Sequence, residues 1–95
     1  SAVLTERAKA LKPLEKRADE AEAEIGAKEE ELESLNQAII EASRGQMGQE
    51  IVEISRRMHQ LKKEIDFLYG ELDTLTRDIE DKKAHYDREL AGLTS

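Results

Sequence analysis

Apolar residues recur along the chain in two separate series, and their spacing alternates between three and four positions over most of its length. The first series is Leu4, Leu11, Leu14, Ala18, Ala21, Ile25, Lys28, Leu32, Leu35 and Ile39. The second series is Ile51, Ile54, Met58, Leu61, Ile65, Leu68, Leu72, Leu75, Ile79, Lys82 and Tyr86. Each series contains a single lysine, Lys28 in the first and Lys82 in the second. A period of 3.5 residues that continues over several heptads is typical of α-helices that pair in a coiled coil.

A short polar segment separates the two series and predicts a turn. Residues 43–49 contain Gly45 and Gly48 among Ser, Arg, Gln and Met, a composition typical of turns. Gly45 is the expected left-handed residue after the end of the first helix. A short loop between two long helices makes them antiparallel neighbours. We therefore predict an all-α fold, a two-helix antiparallel coiled-coil hairpin, and call the face shared by the two series the seam.

Pro13 sets the predicted start of the hairpin, because the first turn of a helix does not need the amide hydrogen that proline lacks. We expect residues 1–12 to be a linker or a short helical segment that Pro13 breaks or kinks away from the main helix. The hairpin then covers residues 13–95, with helices over 13–43 and 50–91 and a loop over 44–49. The chain begins with Ser1 instead of Met, so we expect a fragment of a longer protein.

The composition favours long helices over a compact globular domain. Charged residues make up 39% of the chain and aromatic residues 3%, and there is one proline. A charge fraction this high also occurs in disordered chains, but the regular apolar spacing favours helices. No apolar run approaches the roughly 18 residues of a membrane-spanning helix, so we expect no membrane partner. The absence of cysteine excludes a disulfide framework and fits a reducing compartment, so we expect a cytoplasmic location.

The sequence predicts no catalytic site, no cofactor and no metal ion. Two paired helices bury one thin seam, which leaves no room for a substrate pocket of about 300 Å³ or more. Neither Gly45 nor Gly48 is followed by the Lys-Ser or Lys-Thr pair of a phosphate-binding loop. His85 has Asp81 and Glu89 one helical turn away on either side, so a loose zinc site is the alternative to a solvated histidine.

The charge distribution is uneven and suggests a candidate phosphate-contacting site. The net charge of -7 weighs against nonspecific binding to polyanions. Residues 13–43 carry 3 basic and 10 acidic side chains, whereas residues 44–63 carry five basic and two acidic ones. The candidate nucleic-acid-binding residues are Arg56, Arg57, Lys62 and Lys63. The alternative is a solvated face, on which Arg57 and Lys62 pair with carboxylates of the first helix.

The second helix resembles the C-terminal domain of ABC-F ATPases, which are ATP-binding cassette proteins with two nucleotide-binding domains and no membrane domain. The elements that match the family's pattern are Glu53-Ile54-Ser55, Leu61-Lys62, Glu64 and Leu68-Tyr69. Leu72 stands where the family often has tryptophan, and Gly70 interrupts its usual Tyr-Glu-Arg run. The resemblance covers residues 13–81.

This resemblance implies a cytoplasmic parent ATPase that uses the chain to engage DNA or ribosomal RNA. Arg56, Arg57 and Lys62 match basic positions of the family's second helix, and Lys63 shares the outer face with Arg56. We therefore expect a non-catalytic nucleic-acid-binding module that works together with the parent ATPase domains. No ATP-binding residue is carried over, because no nucleotide-binding motif lies in the chain.

A rival hypothesis gives the chain a purely structural role. Ile40, Val52 and Phe67 are apolar but lie off the seam. Exposed apolar side chains on a helical rod suggest a contact surface. Under this hypothesis the coiled coil binds another protein or forms a homodimer.

Overall fold

Two α-helices account for nearly all of the chain in the computed structural model, which describes residues 1–94. Helix α1 spans Ala2–Arg44 and helix α2 spans Gly48–Thr94. No β-strand occurs within the described residues. The predicted all-α fold with two helices joined by a tight turn is confirmed.

The turn closes α1 with two backbone hydrogen bonds. The amide of Met47 donates to the carbonyl of Ala42 at 3.0 Å, and the amide of Gln46 donates to the carbonyl of Ser43 at 3.3 Å. This pair of bonds is the Schellman motif, which requires a left-handed residue after the helix end. That residue is Gln46, with a φ of 55°, so the expectation that Gly45 adopts this conformation is wrong.

Gly45 serves the turn by its lack of a side chain. A β-carbon at this position would lie 3.3 Å from Cγ and Sδ of Met47. Because that distance is shorter than ordinary side-chain packing allows, glycine leaves the room in which the Met47 side chain lies. Met47 follows the left-handed residue, at the position where an apolar residue commonly accompanies a Schellman motif.

The structure also corrects the predicted helix boundary at Pro13. Helix α1 begins at Ala2 and continues through Pro13, so residues 2–12 belong to the first helix instead of forming a separate segment. A proline inside a helix costs about 3 kcal/mol, because it removes one hydrogen bond and crowds the preceding turn. Leu11 is buried two residues earlier, and the burial of its side chain offsets part of that cost.

The chain forms two compact units, each with a stretch of both helices. The turn unit comprises Ala23–Tyr69, and the end unit comprises Ser1–Glu22 with α2 from Gly70 onward. In the turn unit the buried apolar residues are Ile25, Ala42, Leu61, Ile65 and Leu68. In the end unit they are Leu11, Leu14, Ala18, Ala21 and Leu75.

These buried residues follow the two predicted series closely. Ala42 is the only one outside them, and it continues the first series three positions beyond Ile39. Leu4, the first member of that series, is 53% exposed, so its predicted place in the seam is wrong. In the end unit, Ala18 packs with Leu14 and Leu75 in one buried cluster. The small side chain of Ala18 therefore lies among large ones.

Candidate nucleic-acid interface

The four predicted nucleic-acid-binding residues lie on α2 within the turn unit and are all exposed. They are Arg56, Arg57, Lys62 and Lys63. An α-helix turns by about 100° per residue, which places Arg56 and Lys63 roughly opposite the buried Leu61. Arg57 and Lys62 lie closer to the seam, one at each of its edges. The four side chains therefore point in three directions and do not form a single patch.

Arg57 is engaged by a carboxylate of α1. Its Nε donates to Glu31 Oε2 at 2.6 Å, and its Nη2 donates to Glu31 Oε1 at 2.9 Å. Its Nη1 also lies 3.9 Å from Glu64 Oε2. Two parallel hydrogen bonds between a guanidinium and a carboxylate form a directional, charge-assisted pair. The structure thus places Arg57 in the intramolecular pair that the sequence left as an alternative to phosphate contact.

Lys28, the polar member of the first series, extends this pairing. Its Nζ donates to Glu64 Oε1 at 2.6 Å, and its side chain is 21% exposed. We call Lys28, Glu31, Arg57 and Glu64 the charged network, a chain of alternating charges that links α1 to α2. A lone charged residue in an apolar seam restricts the register in which two helices can pair. Two sequence signals pointed to this network, Lys28 in the heptad series and the alternative that Arg57 pairs with a carboxylate of α1, but the pattern did not identify the partners.

The charged network lowers the pKa of two carboxyl groups. The hydrogen bond from Arg57 is the main reason that the pKa of Glu31 lies below its ordinary value of 4.5. For Glu64, the hydrogen bond from Lys28 lowers the pKa most, and a hydrogen bond from Gln60 lowers it further. The same bond to Glu31 raises the pKa of Arg57. Both carboxylates therefore favour the folded state when they are ionised.

We expect the contribution of Glu31 to stability to disappear in acid. Its pKa is lower in the folded than in the unfolded chain, so its contribution is present above the ordinary value of 4.5 and is lost as the pH falls through the folded pKa. Glu31→Gln should lower the free energy of unfolding at neutral pH, and the native and variant values should converge in acid. Urea unfolding followed by circular dichroism at a series of pH values measures this difference.

The matched control for that titration is Glu30→Gln. Glu30 is exposed and forms no ion pair with any of residues 1–94, so the same loss of charge should give no such convergence. If the difference between native chain and Glu31→Gln stays constant down to about pH 3, the pair with Arg57 does not stabilise the fold.

The other three candidate residues differ from Arg57, because they form no ion pair within the described part of the chain. They are Arg56, Lys62 and Lys63. The heptad positions predict that Lys62 lies near Glu29 of α1, but no ion pair joins these two residues. Three positive groups on about two turns of one helix are therefore available to an external anion.

An aromatic side chain continues the outer face that carries Arg56 and Lys63. Phe67 lies four residues after Lys63, so the two are neighbours on the helix surface. Its side chain is 67% exposed, which confirms its predicted position off the seam. His59 is exposed on the same face, between Arg56 and Lys63. We call Arg56, His59, Lys63 and Phe67 the outer strip, which extends for about 16 Å along α2.

No group of three or more His, Asp or Glu side chains within residues 1–94 is placed to hold a metal ion. His85 Nε2 lies 3.3 Å from Glu89 Oε1, one helical turn away. None of the helices in residues 1–94 is both long enough and apolar enough to cross a membrane.

Comparison of the chain with protein-family models, with curated proteins and with solved structures gave no match.

Proposed function

We propose that this chain is a non-catalytic module that binds nucleic acid through α2, within a cytoplasmic ATPase of the ABC-F type. The observation that carries the proposal is the set of three exposed cations that form no ion pair with any of residues 1–94, Arg56, Lys62 and Lys63. Positive side chains that are free of carboxylates can neutralise phosphates and release their counterions, which drives binding. The resemblance of α2 to the ABC-F family supports the same function and suggests DNA or ribosomal RNA as the target.

The proposed contact set is smaller than the four residues expected from the sequence. Phosphate contact by Arg57 would require its guanidinium to leave Glu31, which it holds with two hydrogen bonds. That exchange replaces one charge-assisted pair by another and gains little. We therefore assign the phosphate contacts to Arg56, Lys62 and Lys63.

The acidic character of the chain weakens this binding without preventing it. The outer face of α2 is turned away from α1, because the seam lies on the opposite side of the helix. A helix with its side chains is about 10–12 Å wide, and the Debye length is about 10 Å at 0.1 M salt. The outer carboxylates of α1 are thus screened from a phosphate bound on the far side of α2. We expect weak binding that is strongest at low salt.

The test is a triple variant, Arg56→Ala, Lys62→Ala and Lys63→Ala, which should lose most of its nucleic-acid binding. Each phosphate contact contributes a slope of about -0.9 to log K against log salt on duplex DNA, so three contacts give about -2.7. Fluorescence anisotropy with labelled duplex DNA and with structured RNA measures affinity and slope. The variant should keep its helicity, because all three side chains are exposed.

A matched control removes the same charge elsewhere. Lys9, Lys12 and Lys16 of α1 are exposed and outside the candidate site, so their triple alanine variant should keep most of the binding. Equal losses in the two triple variants would mean that net charge alone drives binding. Failure of the native chain to bind either polymer at low salt would contradict the proposal.

A structural role is the second candidate, and a different observation favours it. Ile40, Met47 and Val52, all in the turn unit, are 44%, 44% and 49% exposed. Exposed apolar side chains on a helical rod suggest a protein contact surface. If the chain binds neither polymer but sediments as a dimer that Val52→Ser dissociates, the homodimer becomes the better explanation.

A further inference from the structure

We infer that the outer strip provides a stacking position for an unpaired base at Phe67, so that the module prefers single-stranded segments to duplex. This inference rests on the proposed function and narrows it to one class of nucleic acid. It concerns a residue that the phosphate contacts do not involve.

The first argument is the exposure of Phe67. It is the most exposed of the large apolar side chains described, at 67%. Leaving a phenyl ring in water forgoes the stabilisation that burial of its surface would supply. Nothing in the turn unit covers the ring, so an external group of complementary chemistry can do so.

The second argument is the position of Phe67 beside the free cations. Lys63 lies one helical turn before it on the same face, and Arg56 lies two turns before Lys63. Neither Lys63 nor Arg56 has a carboxylate partner in residues 1–94. A row of positive groups that tracks a phosphate backbone, next to an aromatic ring that receives a base, is the arrangement with which proteins bind single strands.

The third argument concerns which nucleic acid can use the ring. In a duplex the faces of the bases are covered by their neighbours, so an aromatic side chain reaches them only if a base is unstacked first. In single strands and loops the faces are accessible and stack on phenylalanine or tyrosine. Contacts to phosphate hold the backbone in place without this discrimination. Phe67 therefore distinguishes single-stranded from duplex nucleic acid, whereas Arg56 and Lys63 do not.

The decisive measurement compares a single-stranded RNA with a duplex that carries the same number of phosphates. The native chain should bind the single strand about five- to tenfold more tightly, the lower end of what one base stacked on an aromatic ring contributes. Phe67→Ala should abolish this preference by weakening single-strand binding while duplex binding stays within about twofold.

Salt provides an independent readout of the same preference. Each phosphate contact contributes a slope of about -0.7 on single strands and about -0.9 on duplex DNA. Stacking does not depend on counterion release, so the ratio between the single-strand affinities of the native chain and of Phe67→Ala should stay constant as the salt concentration rises. A ratio that falls with salt would mean that Phe67→Ala acts through the phosphate contacts, and this would contradict the stacking position.

A tryptophan probe reports stacking directly, because the chain contains no tryptophan of its own. Phe67→Trp should keep the preference, and its fluorescence should be quenched by the single strand but not by the duplex. Tyr69→Ala is the matched control. Tyr69 is also exposed, at 49%, but it lies about 200° around the helix from Phe67 and should leave the preference unchanged.

The outcomes separate this inference from the function on which it rests. Equal affinity for single strand and duplex, unchanged by Phe67→Ala, overturns the stacking position while the phosphate contacts remain. Absence of binding to both polymers at low salt overturns the inference and the proposed function together.

Discussion

Leu61→Ala should destabilise the chain by about 2–4 kcal/mol, the largest loss expected from any single truncation in the hairpin. Leu61 is 0% exposed and is the one large side chain that the structure buries completely within residues 1–94. Truncation removes three carbon atoms from the seam and leaves a cavity that neighbouring side chains fill only in part. The loss should stay below the largest values known for cores, because a seam between two helices is thin and water reaches its edges.

Leu4→Ala is the matched control, since it makes the same chemical change at a position that is 53% exposed. Its effect should stay within about 0.5 kcal/mol, as for most surface substitutions. Urea unfolding followed by circular dichroism measures both variants, with the slope against denaturant as a check that the unfolding remains two-state. Similar losses at Leu61 and Leu4 would contradict the seam, because only one of the two leucines lies in it.

Pro13→Ala should stabilise the chain by about 2 kcal/mol. Pro13 lies inside α1, where it cannot donate a hydrogen bond to the carbonyl of Lys9, and its ring crowds that carbonyl. Replacement by alanine recovers about 3 kcal/mol in the folded state. It also removes the proline restraint from the unfolded chain, and this stabilises the unfolded state by about 0.4–1 kcal/mol. The difference leaves a net gain.

This variant also decides where α1 begins in solution. If the helix began at Pro13, as the sequence predicted, the proline would occupy the first turn, where it is well tolerated. Alanine would then bring no gain, and helicity would not rise. An increase in the midpoint of thermal unfolding supports the continuous helix over Ala2–Arg44, whereas a decrease contradicts it. Lys16→Ala, at an exposed position of the same helix, should change the midpoint little.

The candidate site was predictable only in part. Heptad position placed Arg56 and Lys63 on the outer face of α2, and in the structure both are exposed and form no ion pair with the rest of residues 1–94. The same reasoning placed Arg57 at the edge of the seam and left two partners open, phosphate or a carboxylate of α1. The pairing of Arg57 with Glu31 depends on the register between the two helices and on how far the two side chains reach. A difference of about an ångström decides whether such a hydrogen bond forms.

The turn was likewise predictable only in part. Its glycines predicted where the helices would be interrupted, because turn residues act through local backbone geometry. The left-handed residue is nevertheless Gln46, and Gly45 instead makes room for the Met47 side chain. A glutamine in the left-handed conformation costs conformational energy, so local propensity disfavours it at this position. The two backbone hydrogen bonds that close α1 outweigh this cost.

The sequence by itself determined the two helices, the turn between them and nearly all of the buried positions. It could do so because a 3.5-residue period can be read directly from the order of residues. Each apolar residue on that period is stabilised in the same way, by removal of its side chain from water. Only the tertiary structure decided that α1 passes through Pro13, that Leu4 remains in water, and that Arg57 binds Glu31. Each of these depends on which residues distant in sequence a side chain does or does not contact, and those contacts exist only once the two helices are side by side.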